Sequence, residues 1–122
     1  MTATKAFNHL VRIAGMLALV LGLALWSGRL YGLLGLHMAL GVTVVLGLWG
    51  LAALSLRRTG STGLAIGAAI WGVATLALGP SQTRLLQGDL HWGVQVAHLL
   101  LGLGAIVLGA VLAKSLQLAR AG

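Results

Sequence analysis

The residues best equipped for chemistry in this chain are four histidines: His9, His37, His91 and His98. They are accompanied by no cysteine and by one acidic residue, Asp89. That scarcity removes most reaction types. A lone carboxylate cannot form an acid–base dyad. No glycine-rich phosphate loop and no nucleophile–base arrangement is present. Disulfides, thiolate metal sites, iron–sulfur clusters and c-type haem attachment all need cysteine. Imidazoles without such company either ligate a metal through a ring nitrogen or hydrogen-bond to a neighbour.

Two of the four share a local pattern. Leu36-His37-Met38-Ala39-Leu40-Gly41 aligns with Ala97-His98-Leu99-Leu100-Leu101-Gly102, and Leu-Gly steps follow at Leu46-Gly47 and Leu108-Gly109. Ile13-Ala14-Gly15 and Ala65-Ile66-Gly67 form a weaker echo. On a helix, the residue four positions on lies on the same face. Gly41 and Gly102 therefore remove a side chain beside each imidazole and leave room for a flat group. Two imidazoles facing each other across such a gap match the axial ligand set of a haem b iron. Leu40, Val44, Leu101 and Leu108 are expected to line the gap. Two other readings stay open. The histidines can hydrogen-bond as a structural pair, with the glycines serving close packing, or each can ligate a chlorophyll-type magnesium singly.

The elements that must position these residues follow from composition. Of 122 residues, 59% are hydrophobic and 7% charged, with a net charge of +7. A soluble domain carries about 25% charged residues, so a soluble globular fold is excluded; the hydrophobicity excludes disorder. The basic residues sit at the ends of apolar runs, unlike a nucleic-acid-binding patch. A membrane-crossing helix needs roughly 20 apolar residues. Runs at residues 6–26, 30–56, 63–78 and 90–116 supply four, the third of them short. The breaks are Ser27-Gly28-Arg29, Arg57 to Ser61, and Gly79-Pro80-Ser81-Gln82, with Pro80 expected just past the third helix. The first run has the basic start of a signal peptide but no small-x-small cleavage site near Trp26, so it is expected to remain a helix. The expected fold is all-α: a four-transmembrane-helix bundle forming a single transmembrane domain over 1–122. The repeat suggests two parallel helix pairs related about the membrane normal.

Charge sets the expected orientation. Lys5, Arg12, Arg57, Arg58, Lys114 and Arg120 fall at one end, Arg29 and Arg84 at the other, so both termini are expected in the cytoplasm of a bacterial inner membrane. His37 and His98 lie seven and eight residues into their runs, about 10–12 Å below the outer end of each helix. Ionisable groups at that depth are costly and point to function.

The remaining candidates are less specific. His91, seven residues before His98, is expected at the outer interface, where it can be solvated, bond a haem propionate or ligate a second cofactor. His9 is expected near lipid head groups. Arg29 and Arg84 are the outer cations available to propionates, and Gln95 lies on the same side as His98. Trp26 and Trp92 fit an aromatic belt. Trp49 and Trp71 lie deeper, packing or touching a haem edge, and Met16 and Met38 read as packing residues.

Four membrane helices with one histidine each on the second and fourth resemble the cytochrome b561-like family of haem-b electron carriers. The resemblance covers the topology of the whole chain, but its motif is only the two His-x-x-x-Gly matches. Family members commonly hold two haems. Here Gly50, Leu51, Val111 and Leu112 occupy the positions where a second pair of ligands would stand, and none can ligate iron. The chain is also similar to one half of a haem A synthase, but Leu33, Leu34 and Leu36 stand where that family's acidic residue is expected. What these resemblances imply is one bis-histidine haem b near the outer face. Six-coordinate iron favours electron transfer, as a carrier or redox-complex subunit more than a stand-alone enzyme. The partners implied are the lipid bilayer, a quinone or periplasmic electron carrier, and other membrane subunits or a homo-oligomer. A cofactor-free assembly subunit and a pigment-binding subunit are the competing classes.

Overall fold

The structure is a computed structural model that describes residues 2–121. Four helices make up nearly all of it: α1 (Ala3–Trp26), α2 (Leu34–Arg58), α3 (Thr62–Ser81) and α4 (His91–Ala121). No strand occurs among the described residues. Each helix, taken with its flanking turn, is long and apolar enough to cross a membrane, which marks an integral membrane protein. α4, with 31 residues, extends about 46 Å at 1.5 Å per residue. It exceeds a hydrocarbon core of about 30 Å and must tilt or project.

Consecutive helices run antiparallel, and α2 lies beside α4 while α1 and α3 stand at far corners. The contacts fix these directions. His37 stands against Gly22 near the end of α1, and Gly47 meets Val11 near its start. α2 and α4 are parallel, since His37 meets His98 and Leu51 meets Gly109. The bundle thus has a terminal end, carrying both termini and the α2–α3 turn, and a loop end, carrying the connections 27–33 and 82–90.

Local chemistry explains the helix limits. Thr2 caps α1 by accepting from the amide of Lys5 at 3.3 Å. Gly28 and Leu30 adopt positive φ (81° and 59°) and turn the chain into a single 3-10 turn, Tyr31–Leu33, before α2. In the α3–α4 connection a 3-10 turn over Gln82–Arg84 comes first, and Leu86 and Gly88 then adopt positive φ (44° and 94°). α3 does not stop before Pro80, as its sequence suggested, but carries it in the last turn. There the missing N–H costs only the bond to Leu76. The Ser81 hydroxyl donates to Ala77 and the Gln82 amide to Leu78, which closes the helix.

Packing concentrates at the terminal end. Val11, Leu48, Leu51, Leu112 and Leu116 are wholly buried there. Glycines let the helices approach: a Cβ at Gly47 would come within 2.7 Å of Val11, one at Gly109 within 2.9 Å of Val11, and one at Gly50 within 2.7 Å of Phe7. Small residues at helix contacts are the usual means of association where lipid competes for apolar surface. Two indoles tie the helices further. Trp49 donates to the carbonyl of Ala69 on α3 at 3.2 Å, and Trp71 to that of Leu101 on α4 at 2.8 Å.

Candidate functional site

The loop-end half of the bundle holds a cavity of about 470 Å³, a size typical of small-molecule sites. His37 reaches it from α2 and His98 from α4. Their ring centroids are 6.0 Å apart and their planes are inclined by 65°. His37 is the fourth residue of α2, not the seventh of a longer helix as the run suggested, because the 3-10 turn Tyr31–Leu33 takes the residues before Leu34. His98, the eighth residue of α4, is about 10 Å along its helix.

The two imidazoles are held differently. His37 Nδ1 lies 3.0 Å from the Ala18 carbonyl on α1. A carbonyl can only accept, so in this bond Nδ1 donates and Nε2 keeps its lone pair. This carbonyl-bonded tautomer is the usual outer-shell arrangement of a metal-ligating histidine. His98 Nδ1 is buried and has no hydrogen-bond partner. Each ring also rests on a glycine of the preceding helix. A Cβ at Gly22 would come within 2.9 Å of His37 Cε1, and one at Gly79 within 3.4 Å of His98 Cε1. Ala18, Gly22 and Gly79 are supporting positions absent from the sequence reading. Among 19 glycines nothing distinguishes these two before the helices are docked.

Gly41 and Gly102 both line the cavity, and a Cβ on either would meet nothing within 4 Å. Their missing side chains leave open space beside the imidazoles rather than a helix contact. Of the four expected lining residues, Val44 lines the cavity and Leu40, Leu101 and Leu108 do not. Gln95 and His91 are on its wall, and His91 Nδ1 lies 3.1 Å from the Leu85 carbonyl, which ties α4 to the loop before it. Gln82, Thr83 and Tyr31 complete a polar rim that the sequence reading did not include. Arg29 and Arg84 are exposed and lie outside the lining. Trp26 lines the cavity; Trp49 and Trp71 do not, their indoles being engaged between helices. His9 and Met38 are exposed and face away.

The donor set discriminates among metals. Among the described residues no group of three or more His, Cys, Asp or Glu could hold an ion. A bare zinc ion takes three or four protein ligands. Iron in a porphyrin receives four nitrogens from the macrocycle and needs only axial ligands from the protein. An imidazole nitrogen stands about 2 Å from a transition metal, with the ring centre roughly 1 Å beyond, so two rings sharing one ion have centres about 6 Å apart. The observed 6.0 Å equals that spacing and is also the spacing of a direct edge-to-face ring contact. The open space at Gly41 and Gly102 and the free Nε2 of His37 are what a porphyrin iron would need beside it.

No family model matches the chain, and no curated protein or solved structure matches it either. The functional reading therefore rests on the site itself.

Proposed function

We propose that the protein is a membrane-embedded b-type cytochrome in which His37 and His98 hold one haem b for electron transfer. The observation that carries this reading is the 6.0 Å separation of the two rings beside the open space at Gly41 and Gly102. Haem b bound there would supply a one-electron couple. The Ala18 carbonyl fixes the His37 ring by its Nδ1 proton. Gly22 and Gly79 admit the two rings between helices. Val44 and the flanking apolar residues exclude water from the depth of the cavity, while Gln95, His91, Gln82 and Thr83 give its rim the polarity that propionates require. Arg29 and Arg84, exposed at the same end, provide positive charge near that rim.

The orientation we infer places the termini and six cations in the cytoplasm and the loop end in the periplasm of a bacterial inner membrane. Parallel α2 and α4 are compatible with a two-helix repeat but follow from any up-down four-helix order. The likeness to cytochrome b561-like bundles is part of our proposal and rests on the two His-x-x-x-Gly matches. A site near one face matches a quinone or periplasmic electron carrier as partner, and the small chain matches a subunit of a larger redox complex or an oligomer.

A cofactor-free structural subunit is the second reading. It is favoured by the same ring contact, since direct edge-to-face aromatic pairs also stand 4.5–7 Å apart. The absorption spectrum of the purified protein separates the readings. Sharp bands of haem b after dithionite reduction are expected. A colourless preparation of folded protein would overturn the proposal, and far-red bands would indicate a chlorophyll-type pigment.

A further inference from the structure

A second cavity of about 440 Å³ opens on the lipid-facing side of the bundle, between α2 and α3. Trp49, Ala53 and Leu56 form one wall, and Ile66, Ala69 and Val73 the other. The alanines keep the groove open, and the bond from Trp49 to the Ala69 carbonyl links its two walls. Its lining carries no charged residue. At the terminal end of the groove the chemistry changes abruptly. Arg57 follows Ala53 by four positions, on the same face of α2, and Arg58 follows it. Both arginines are exposed. The chain's only acid, Asp89, lies beyond the far end of α3, about 30 Å away along that 20-residue helix.

An apolar slot between membrane helices, followed on α2 by two exposed arginines just past its Leu56 end, is complementary to one kind of molecule. We propose that the groove holds an acyl chain of an anionic phospholipid whose phosphate sits on Arg57 and Arg58. Guanidinium groups bind phosphate through charge-assisted, often bidentate hydrogen bonds, and basic sites flanking membrane helices select anionic head groups. A zwitterionic lipid brings its own cation to the same place. A second copy of the chain packed here about a twofold axis along the membrane normal would oppose Arg57 and Arg58 to their own images, with no acid nearby. The proposal is independent of the histidine site.

The test is native mass spectrometry of the intact protein in detergent with equal amounts of dioleoylphosphatidylglycerol and dioleoylphosphatidylcholine. One retained phosphatidylglycerol per chain is expected, preferred by roughly tenfold. Arg57→Gln with Arg58→Gln brings the preference to parity, whereas Arg57→Lys with Arg58→Lys keeps most of it. Ala69→Leu, which fills the groove, lowers retention of both lipids while helical circular dichroism is unchanged. Equal retention of the two lipids by the native chain would overturn the proposal. So would an undiminished preference in the double glutamine variant, or a lipid-free dimer as the main species.

Discussion

The two halves of the bundle use one residue type for opposite purposes. At the terminal end, glycine brings helices together: a side chain at Gly47, Gly50 or Gly109 would collide with Val11 or Phe7. At the loop end, Gly41 and Gly102 face open space on the same two helices, two to three turns away. The first half closes into a core with Leu48, Leu51, Leu112 and Leu116 wholly buried. The second half stays hollow around His37 and His98. The hollow half also carries the polar side chains, His37, His98, Gln95 and Gln82 among them, while the packed half is built mainly of Leu, Val, Ala and Gly. Gly47, Gly50 and Gly109 each face a side chain of α1, Gly41 and Gly102 face open space, and Gly22 and Gly79 admit the imidazoles themselves. A packed half carrying a hollow half sets two imidazoles at a fixed separation without loops.

Substitutions can break that comparison. The largest effect is expected from Gly41→Leu or Gly102→Leu, which place a side chain in the hollow. On the haem reading, either lowers haem retention by roughly a thousandfold or more, equivalent to about 4 kcal/mol, with thermal stability of the bundle unchanged or slightly raised because a cavity is filled. The haem-to-protein ratio and a melting curve check both halves of the statement. The same change in the packed half should do the reverse. Gly47→Leu or Gly109→Leu overpacks against Val11 and is expected to cost roughly 1–3 kcal/mol, read as a lower unfolding midpoint in detergent. Next in size, Leu51→Ala leaves a void in the packed half and costs roughly 2 kcal/mol. The smallest effect is expected from Trp49→Phe, which removes the bond to Ala69, about 0.6 kcal/mol, together with part of the indole's packing beside Gly72. Equal responses to leucine at Gly41 and Gly47 would remove the distinction between the halves.

Much of the fold was legible before the structure. Apolar runs at 6–26, 30–56, 63–78 and 90–116 correspond to the four helices, because a span of about 20 apolar residues has few alternatives in lipid. The ends were less legible. α3 passes through Pro80 because its last turn has little left to lose, and a 3-10 turn occupies Tyr31–Leu33 because Leu30 adopts a left-handed conformation. The pairing of His37 with His98 was suggested by the His-x-x-x-Gly repeat and similar counts into their runs. The rings meet at 6.0 Å although His37 is the fourth residue of α2 and His98 the eighth of α4. Their supports did not follow. The Ala18 carbonyl is backbone and carries no sequence signal. Gly22 and Gly79 differ from other glycines only through what packs against them. Arg29 and Arg84 suggested themselves by charge, yet loop geometry leaves them outside the cavity lining and puts Gln82, Thr83 and His91 there. The deeper tryptophans, open between packing and a haem edge, are spent on cross-helix hydrogen bonds.

The central claim is that His37 and His98 together hold one haem in the hollow half. Its most direct test is electron paramagnetic resonance of the oxidised protein at low temperature, with haem content determined on the same sample. The account predicts one haem per chain in a low-spin state, lost or converted to high spin in His37→Ala and, separately, in His98→Ala. A folded native chain without haem, or either variant retaining the native low-spin signal, would contradict it.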